Sequence, residues 1–435
     1  MKLSRLALAI GLSTASTVAL AAPQSFNTAR SFAMGGTGVA IAHPTTANSA
    51  NPAMLAADHH EWSDDLGLIL PSVNARYADE EEVIDQVDGI QTVIDEFNSL
   101  QQQLETNPTV ENADALGDAA GDLRDRLLAF DRDTVRIDAA AGLSLAVPGQ
   151  KLAVGVFTNG NLRATVRGEL SDDDIAFLND VVDAARNQDP NAIDNLLATR
   201  TNSNGDIEFT SRGRVLAAGV VEAGVSLARP FNLGLEHPVQ LGVAPKYVQL
   251  RTFQYTAIVN DFDEENASEG NYETTKSGFN LDLGVAYAFG SERQWNSAIA
   301  VKNVIPMELD SAYDLTKGEE ERTLELNPKV TVGIAHTGSF HVLTAEADLT
   351  KQEAFGYEDD TQWIAVGAEL DAWRFAQLRL GARHNIASND DSNGIEEKTQ
   401  FTAGLGLSPF GARLDVAGLV SDADVGAAIE LGFAF

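Results

Sequence analysis

The chain has 435 residues, with 64 Asp and Glu against 30 Lys and Arg, a formal net charge of -34 and no cysteine. This acidity excludes a nucleic-acid surface, which needs a basic face. The lack of cysteine excludes disulfides and thiolate metal sites, so an exported form must gain its stability elsewhere, for example from a closed sheet.

Residues 1–21 read as a secretory signal. Lys2 and Arg5 give a positive start, Leu6 to Leu20 a short apolar stretch, and Ala19-Leu20-Ala21 a cleavage pattern after Ala21. The stretch is short for an anchor, and no Cys follows it to mark a lipoprotein. No later stretch approaches the roughly 20 apolar residues of a spanning helix, so membrane residence requires a barrel. Residues 22–63, rich in Gly, Ala, Asn, Thr and Pro, are too few for a domain and too apolar for a free tail. They are expected to fill a barrel lumen as an N-terminal plug.

Residues 64–435 predict an all-β transmembrane antiparallel barrel of about 14 strands. Period-two alternation places strands near 64–78, 134–147, 152–169, 208–228, 239–258, 277–289, 294–305, 326–337, 340–350, 361–371, 374–386, 398–408, 412–420 and 424–435. In the last, Val425, Ala427, Ile429, Leu431 and Phe433 share one face; Asp424, Gly426, Ala428, Glu430 and Gly432 share the other. Connections alternate long and short, which fits short periplasmic turns and longer extracellular loops, with both termini on the periplasmic side. Acidity follows the long loops: residues 79–133 hold sixteen Asp or Glu against three Arg.

Two long loops, 79–133 and 170–207, predict helical insertions. Val83, Val87, Ile90, Ile94, Phe97, Leu100 and Leu104 recur at helical spacing, as do Leu116, Ala119, Leu123, Leu127 and Phe130, then Ile175, Leu178, Val181, Val182 and Ala185. Such faces either pack on one another as a cap or form a shallow receiving site for a greasy ligand.

The run Ala29-Arg30-Ser31-Phe32-Ala33-Met34-Gly35-Gly36-Thr37-Gly38-Val39-Ala40, followed by Asn51-Pro52-Ala53, resembles the mature N-terminus of FadL-type outer-membrane proteins, and within them a conjugal-transfer TraF-like branch. The resemblance implies a fourteen-stranded barrel with an N-terminal hatch, in the outer membrane of a Gram-negative bacterium. It further implies uptake of long-chain fatty acids or other hydrophobic small molecules, with Gly35, Gly36, Asn51 and Pro52 in the gating hatch. The branch adds an alternative, a non-transporting surface or assembly protein associated with conjugal transfer. Expected partners are outer-membrane lipid and lipopolysaccharide, a hydrophobic ligand, and the barrel-assembly machinery through Phe435; no nucleic acid is expected.

No enzyme, cofactor or metal site is expected. The glycine run lacks the Lys-Ser/Thr of a phosphate loop. His59 and His60 are adjacent and point opposite ways if extended. His336, His341 and His384 have no evident nucleophile partner. If Val135 and Ile137 face lipid, Arg136 and Asp138 face the lumen, and the same phase turns Asp282, Glu346, Asp348, Glu369, Arg379, Arg383, Arg413, Asp415 and Glu430 inward. These form an ion-pair network, or Arg136, Arg379 or Arg383 receives a ligand's carboxylate head group. Trp363, Trp373, Tyr77, Phe253 and Tyr255 are expected in interfacial girdles, with an aromatic-lined ligand pocket as the alternative.

Overall fold

The computed structural model describes residues 27–41, 43–57, 66–79, 83–149, 151–202, 205, 207–258, 272–372, 375–389 and 394–434. The signal segment, His59, His60, Trp373 and Phe435 lie outside the described residues.

Fourteen strands close into one antiparallel barrel. In chain order they are β1 (Gly67–Asp79), β2 (Thr134–Val147), β3 (Ala153–Glu169), β4 (Arg212–Phe231), β5 (Val239–Ile258), β6 (Glu273–Phe289), β7 (Trp295–Lys302), β10 (Lys329–Thr337), β11 (His341–Asp348), β12 (Trp363–Ala372), β13 (Ala376–Asn385), β14 (Thr399–Leu407), β15 (Ala412–Val420) and β16 (Asp424–Ala434). The short strands β8 (Met307–Asp310) and β9 (Thr323–Leu326) pair separately as a hairpin. β1 closes the cylinder against β16, with Val73 opposite Ile429 and Gly67 opposite Ala434. Its register shifts between Ile69 and Ser72 against both neighbours. Pro71 lies in that shift; it has no N–H to donate to a ladder, which confines it to such irregular places.

Period two sets the two faces of the wall. On β16, Val425, Ile429 and Leu431 are exposed on the outside, while Asp424 and Glu430 are buried inside. Leu143, Leu145 and Val147 on β2 and Leu378 and Leu380 on β13 continue the apolar exterior. At the end where Gly67 meets Ala434, the connections 148–152, 290–294, 338–340 and 408–411 are short; the long loops rise at the other end.

Three boundaries differ from the sequence expectation for local reasons. β4 starts at Arg212 rather than 208, because the Thr210 and Ser211 amides donate to the Asp174 carboxylate at 2.8 and 2.6 Å. β7 stops at Lys302 because Asn303 adopts φ 53°, a left-handed value that leaves the sheet. The expected loop 306–325 contains most of the β8–β9 hairpin.

Four helices rise from the long-loop end: α3 (Val83–Thr106), α4 (Val110–Phe130), α5 (Asp172–Arg186) and α6 (Pro190–Ala198). Their apolar stripes bury against one another. Phe97, Leu116, Leu123, Leu178, Val181 and Ile193 form one core with Phe209, whose ring meets Phe97 edge-on at 6.2 Å and Phe177 at 6.4 Å. Thr109 caps α4 through the Asn112 amide, and Pro190 opens α6 where a missing N–H is harmless.

Candidate functional site

The lumen is filled from within. Two short helices, α1 (Ala29–Ala33) and α2 (Pro44–Ala50), and a tight turn at Pro52–Ala56 lie inside the cylinder and touch its wall all round. A Cβ on Gly242 of β5 would fall 2.2 Å from the Ala53 nitrogen, and one on Gly381 of β13 would fall 2.2 Å from the Gly35 nitrogen. These two strands stand on nearly opposite sides of the barrel. Glycine is what lets backbone approach wall so closely there.

The segment has a charged side and an apolar side. On the charged side Arg30 pairs with Glu369, Glu369 also meets Arg379 at 2.5 Å, and Arg379 meets Asp415 at 2.5 Å. On the other, Met34, Val39, Ile41, Met54 and Leu55 pack on an inner wall of small residues: Ala146, Ala153, Ala228, Ala286, Ala298, Ala300 and Ala335.

The glycine-rich run forms an anion nest. Gly35 and Gly36 adopt φ of 73° and 84°, and the three amides after Thr37, those of Gly38, Val39 and Ala40, all donate to Oε1 of Glu346 at 2.9, 2.7 and 3.2 Å. Successive N–H groups converging this way make a concavity for negative charge. Asn296 donates to the Ala40 carbonyl at 2.6 Å, and Asn51 to that of Val39 at 3.0 Å. Asn51 also accepts from the Ala53 amide at 3.1 Å, capping the turn that Pro52 opens.

At the long-loop end, Arg76, Arg136 and Arg163 from β1, β2 and β3 meet four carboxylates. Arg76 reaches Asp424 at 2.5 Å and Glu397 at 3.1 Å; Arg136 reaches Glu397 at 2.8 Å and also binds Asp424; Arg163 reaches Asp138 at 2.5 Å and Glu358 at 3.4 Å. Glu358 and Glu397 belong to loops that fold inward from the rim and touch through the bridge between Glu358 and Ile395. Burial opposes ionisation of Glu397, but Arg136, Arg76 and Arg163 outweigh it and hold its carboxyl well below the usual range. For Glu358 burial prevails over Arg163 and Arg136 and pushes the carboxyl up. The β8–β9 hairpin also turns inward: Met307, Leu309, Leu324 and Leu326 pack with Phe355 and Tyr357 on Leu216, Val248 and Leu250 of the inner wall.

A cavity of about 100 Å³ lies between the lumen segment and these loops, lined by Gly35 to Val39, Lys302, Lys329, Glu346, Asp348, Gln352, Trp363 and Arg383. A second, of about 30 Å³, adjoins it at Arg383. Lys329 is paired with Asp348 at 2.9 Å, and Lys302 donates to the Ser49 carbonyl. Arg383 donates through Nε to Gln400 at 2.6 Å and lies over the Trp363 ring at 4.2 Å. No carboxylate among the described residues lies within ion-pair distance of it.

Every charged side chain expected in the lumen does face inward. Arg136 and Arg379 are engaged by carboxylates, whereas Arg383 faces the cavity. Trp363 corrects an expectation: it points into the lumen over Arg383, not out to an interfacial girdle. Arg30, Arg76, Arg163, Glu358 and Glu397 were not singled out from sequence. For Arg76 and Arg163 strand parity carried the signal; the two glutamates lie in irregular loops that carry none. His336 and His341 contact each other at 3.1 Å beside Trp295. Among the described residues no group of three or more acidic or histidine side chains is placed to hold a metal.

A closed fourteen-stranded antiparallel cylinder with chain packed inside it defines the fold. Many solved structures match this chain, and two examples share this fold. The "TodX deltaS2S3 mutant monoaromatic hydrocarbon channel" is 12% identical, with 94% of this chain and 98% of that chain covered and a TM-score of 0.51. The "CymD monoaromatic hydrocarbon channel" is 12% identical, with 94% and 97% covered and a TM-score of 0.50. A comparison with curated proteins finds no match. The family model described as "F plasmid transfer operon, TraF, protein" matches residues 49–348, more than half of the chain, and the chain belongs to that family.

Proposed function

We propose that this protein is an outer-membrane channel for hydrophobic small molecules, closed in this conformation by its N-terminal plug. The observation that carries the reading is the alanine-faced inner wall against which Met34, Ile41, Met54 and Leu55 pack. Withdrawing the plug would uncover a band of alanines across β2–β4, β6, β7 and β10, bordered by inward polar residues such as Ser226, Asp282 and Asn296, and that apolar band favours a greasy solute over a hydrated one. The apolar exterior supports residence in lipid, with the short turns facing the periplasm and the helical cap outside. The hydrocarbon channels that share the fold support the substrate class. The loop helices satisfy their apolar faces among themselves, so the ligand path runs beneath the cap and past the inward-folded loops.

Purified protein in detergent, titrated with naphthalene as a fluorescent hydrocarbon probe, tests this. Saturable binding that a smaller aromatic competes away supports the channel. Absence of binding, with probe uptake unchanged when the gene is deleted, removes it.

The filled lumen favours a second reading, a non-transporting envelope component associated with conjugal transfer. Small-molecule sites usually enclose about 300–1,000 Å³, and the cavity beside Arg383 holds about 100 Å³. Co-purification with other envelope proteins, together with a lumen that never binds probe, would favour this reading.

A further inference from the structure

We propose that the seam between the plug and β11–β16 is a polar conduit that carries water and small monovalent anions past the seated plug, with the Arg30–Glu369 pair as the partition they must pass. The inference needs a barrel that spans lipid, and it does not depend on the hydrocarbon reading.

Three cavities lie end to end along this seam, each sharing lining with the next. The one of about 30 Å³ begins at Arg76 and Asp138 and meets the one of about 100 Å³ at Gly35, Gly36 and Arg383. A third, also of about 100 Å³, lies on the short-turn side, lined by Arg379, Arg413 and Glu430 and by Ser408 and Gly411 of a short turn. Arg30 lines both of the larger cavities. Its guanidinium, held on Glu369, therefore stands between the long-loop side and the short-turn side. The order along β13 agrees: Arg383 lines the upper cavity, Arg379 and Gln377 the lower.

This lining suits water and ions, not hydrocarbon. Polar cavities of that size have room for several waters. In the lower one, Nη2 of Arg413 and Oε1 of Gln377 are buried without a hydrogen-bond partner among the described residues. Buried polar atoms are normally satisfied, and water entering from the short-turn side would satisfy these.

The sign of the charge selects the ion. The chain as a whole carries a net charge of -34. The upper cavity reverses that sign: Arg30, Lys302, Lys329 and Arg383 line it against Glu346 and Asp348. Below, Arg30 and Arg379 share Glu369, and Arg379 and Arg413 share Asp415. Guanidiniums thus succeed one another from Arg383 through Arg30 and Arg379 to Arg413. Cationic linings of this kind are how pores pass anions. An anion that takes the place of the Glu369 carboxylate on Arg30 displaces side chains alone, and the plug backbone stays where it is.

The test uses the full protein in membrane patches drawn from proteoliposomes of verified protein content, with potassium chloride as the probe. A small steady conductance is expected, with a reversal potential in a salt gradient that marks chloride as the preferred ion. Arg413→Gln should move that potential toward potassium. Ser408→Cys, a near-isosteric change in a chain without native cysteine, should lose most of its current when reacted with a bulky methanethiosulfonate. The plug can be locked through Ala40→Cys with Gly333→Cys, whose Cβ positions lie 3.3 Å apart. The current in that protein should be the same with the bridge oxidised or reduced. No conductance in the native protein, or one that stops when the bridge forms, would overturn the conduit. A potassium preference would overturn the role given to the arginines. Current indifferent to both Arg413→Gln and the reacted Ser408→Cys would place the path elsewhere and overturn the seam. Naphthalene binding is read separately, so the hydrocarbon channel stands or falls on its own result.

Discussion

Arg30 and Glu369 meet edge to edge, Nε on Oε2 and Nη2 on Oε1, both at 2.9 Å, with both side chains buried. This bidentate pair joins the lumen segment to β12. The same arginine donates from Nη1 to the Ile41 carbonyl at 2.8 Å, so it also ties the segment to itself.

Replacing Arg30 by Met should therefore loosen the plug without opening the barrel. Removing one member of a buried pair costs about 3–5 kcal/mol; here Arg379 still faces Glu369, so the lower end applies. Hydrogen exchange should rise across 28–41, while the strands keep native protection. Unchanged protection in the plug would show that Arg30 does not hold it.

Gly381→Val tests the fit of plug to wall. The first added carbon meets the Gly35 nitrogen at 2.2 Å, backbone that cannot swing aside. The barrel should form, and protease should cleave near 27–57 in the variant while sparing the native protein. A protease-resistant plug in Gly381→Val would mean that the close approach at β13 is not what seats it.

Acidification should affect the two rim loops differently. Glu397 is held below its ordinary value of 4.5, so its contribution is full above that value and fades as the pH falls through and below it. Glu358 is raised, so its contribution is lost as the pH rises through its folded value and recovered on acidification. Between neutral pH and about pH 5, exchange protection near 394–398 should hold steady while that near 356–359 increases. Parallel changes in both segments would contradict the assignment of charges.

Phe97→Ala should unfold or loosen the helical cap alone. Truncating a buried phenylalanine costs about 3–5 kcal/mol, and the Phe97, Phe177 and Phe209 cluster belongs to the cap core. The cap amides should lose protection with no change in probe binding. Lost binding would mean that the cap takes part in the ligand path.

Much of this architecture was legible in sequence because an apolar exterior and a lumen face of charged and small residues impose one strict parity. Strands at 134–147, 239–258 and 412–420 fall where alternation put them, and the parity that turned Arg136 inward also placed Glu369, Arg379 and Asp415. What alternation cannot encode is partnership. The glycine run was readable as permissive backbone, but its acceptor, Glu346, lies some three hundred residues on. The β8–β9 hairpin escaped because four-residue strands give too short a pattern, and its apolar face is explained only by Val248 and Leu250 opposite. Glu358 and Glu397 became partners of the arginines only through the inward fold of their loops.

The central claim, that transport requires the plug to move, has one direct test. The chain has no native cysteine, and a Cβ built on Gly333 lies 3.3 Å from that of Ala40, near the span of about 3.5–4.5 Å a disulfide bridges. Cells carrying the Ala40→Cys, Gly333→Cys protein would be assayed for uptake of a labelled aromatic hydrocarbon, oxidised and then reduced. Uptake at background while the bridge holds, rising to the native level on reduction, is the expected result. Native-level uptake through the locked protein would contradict it.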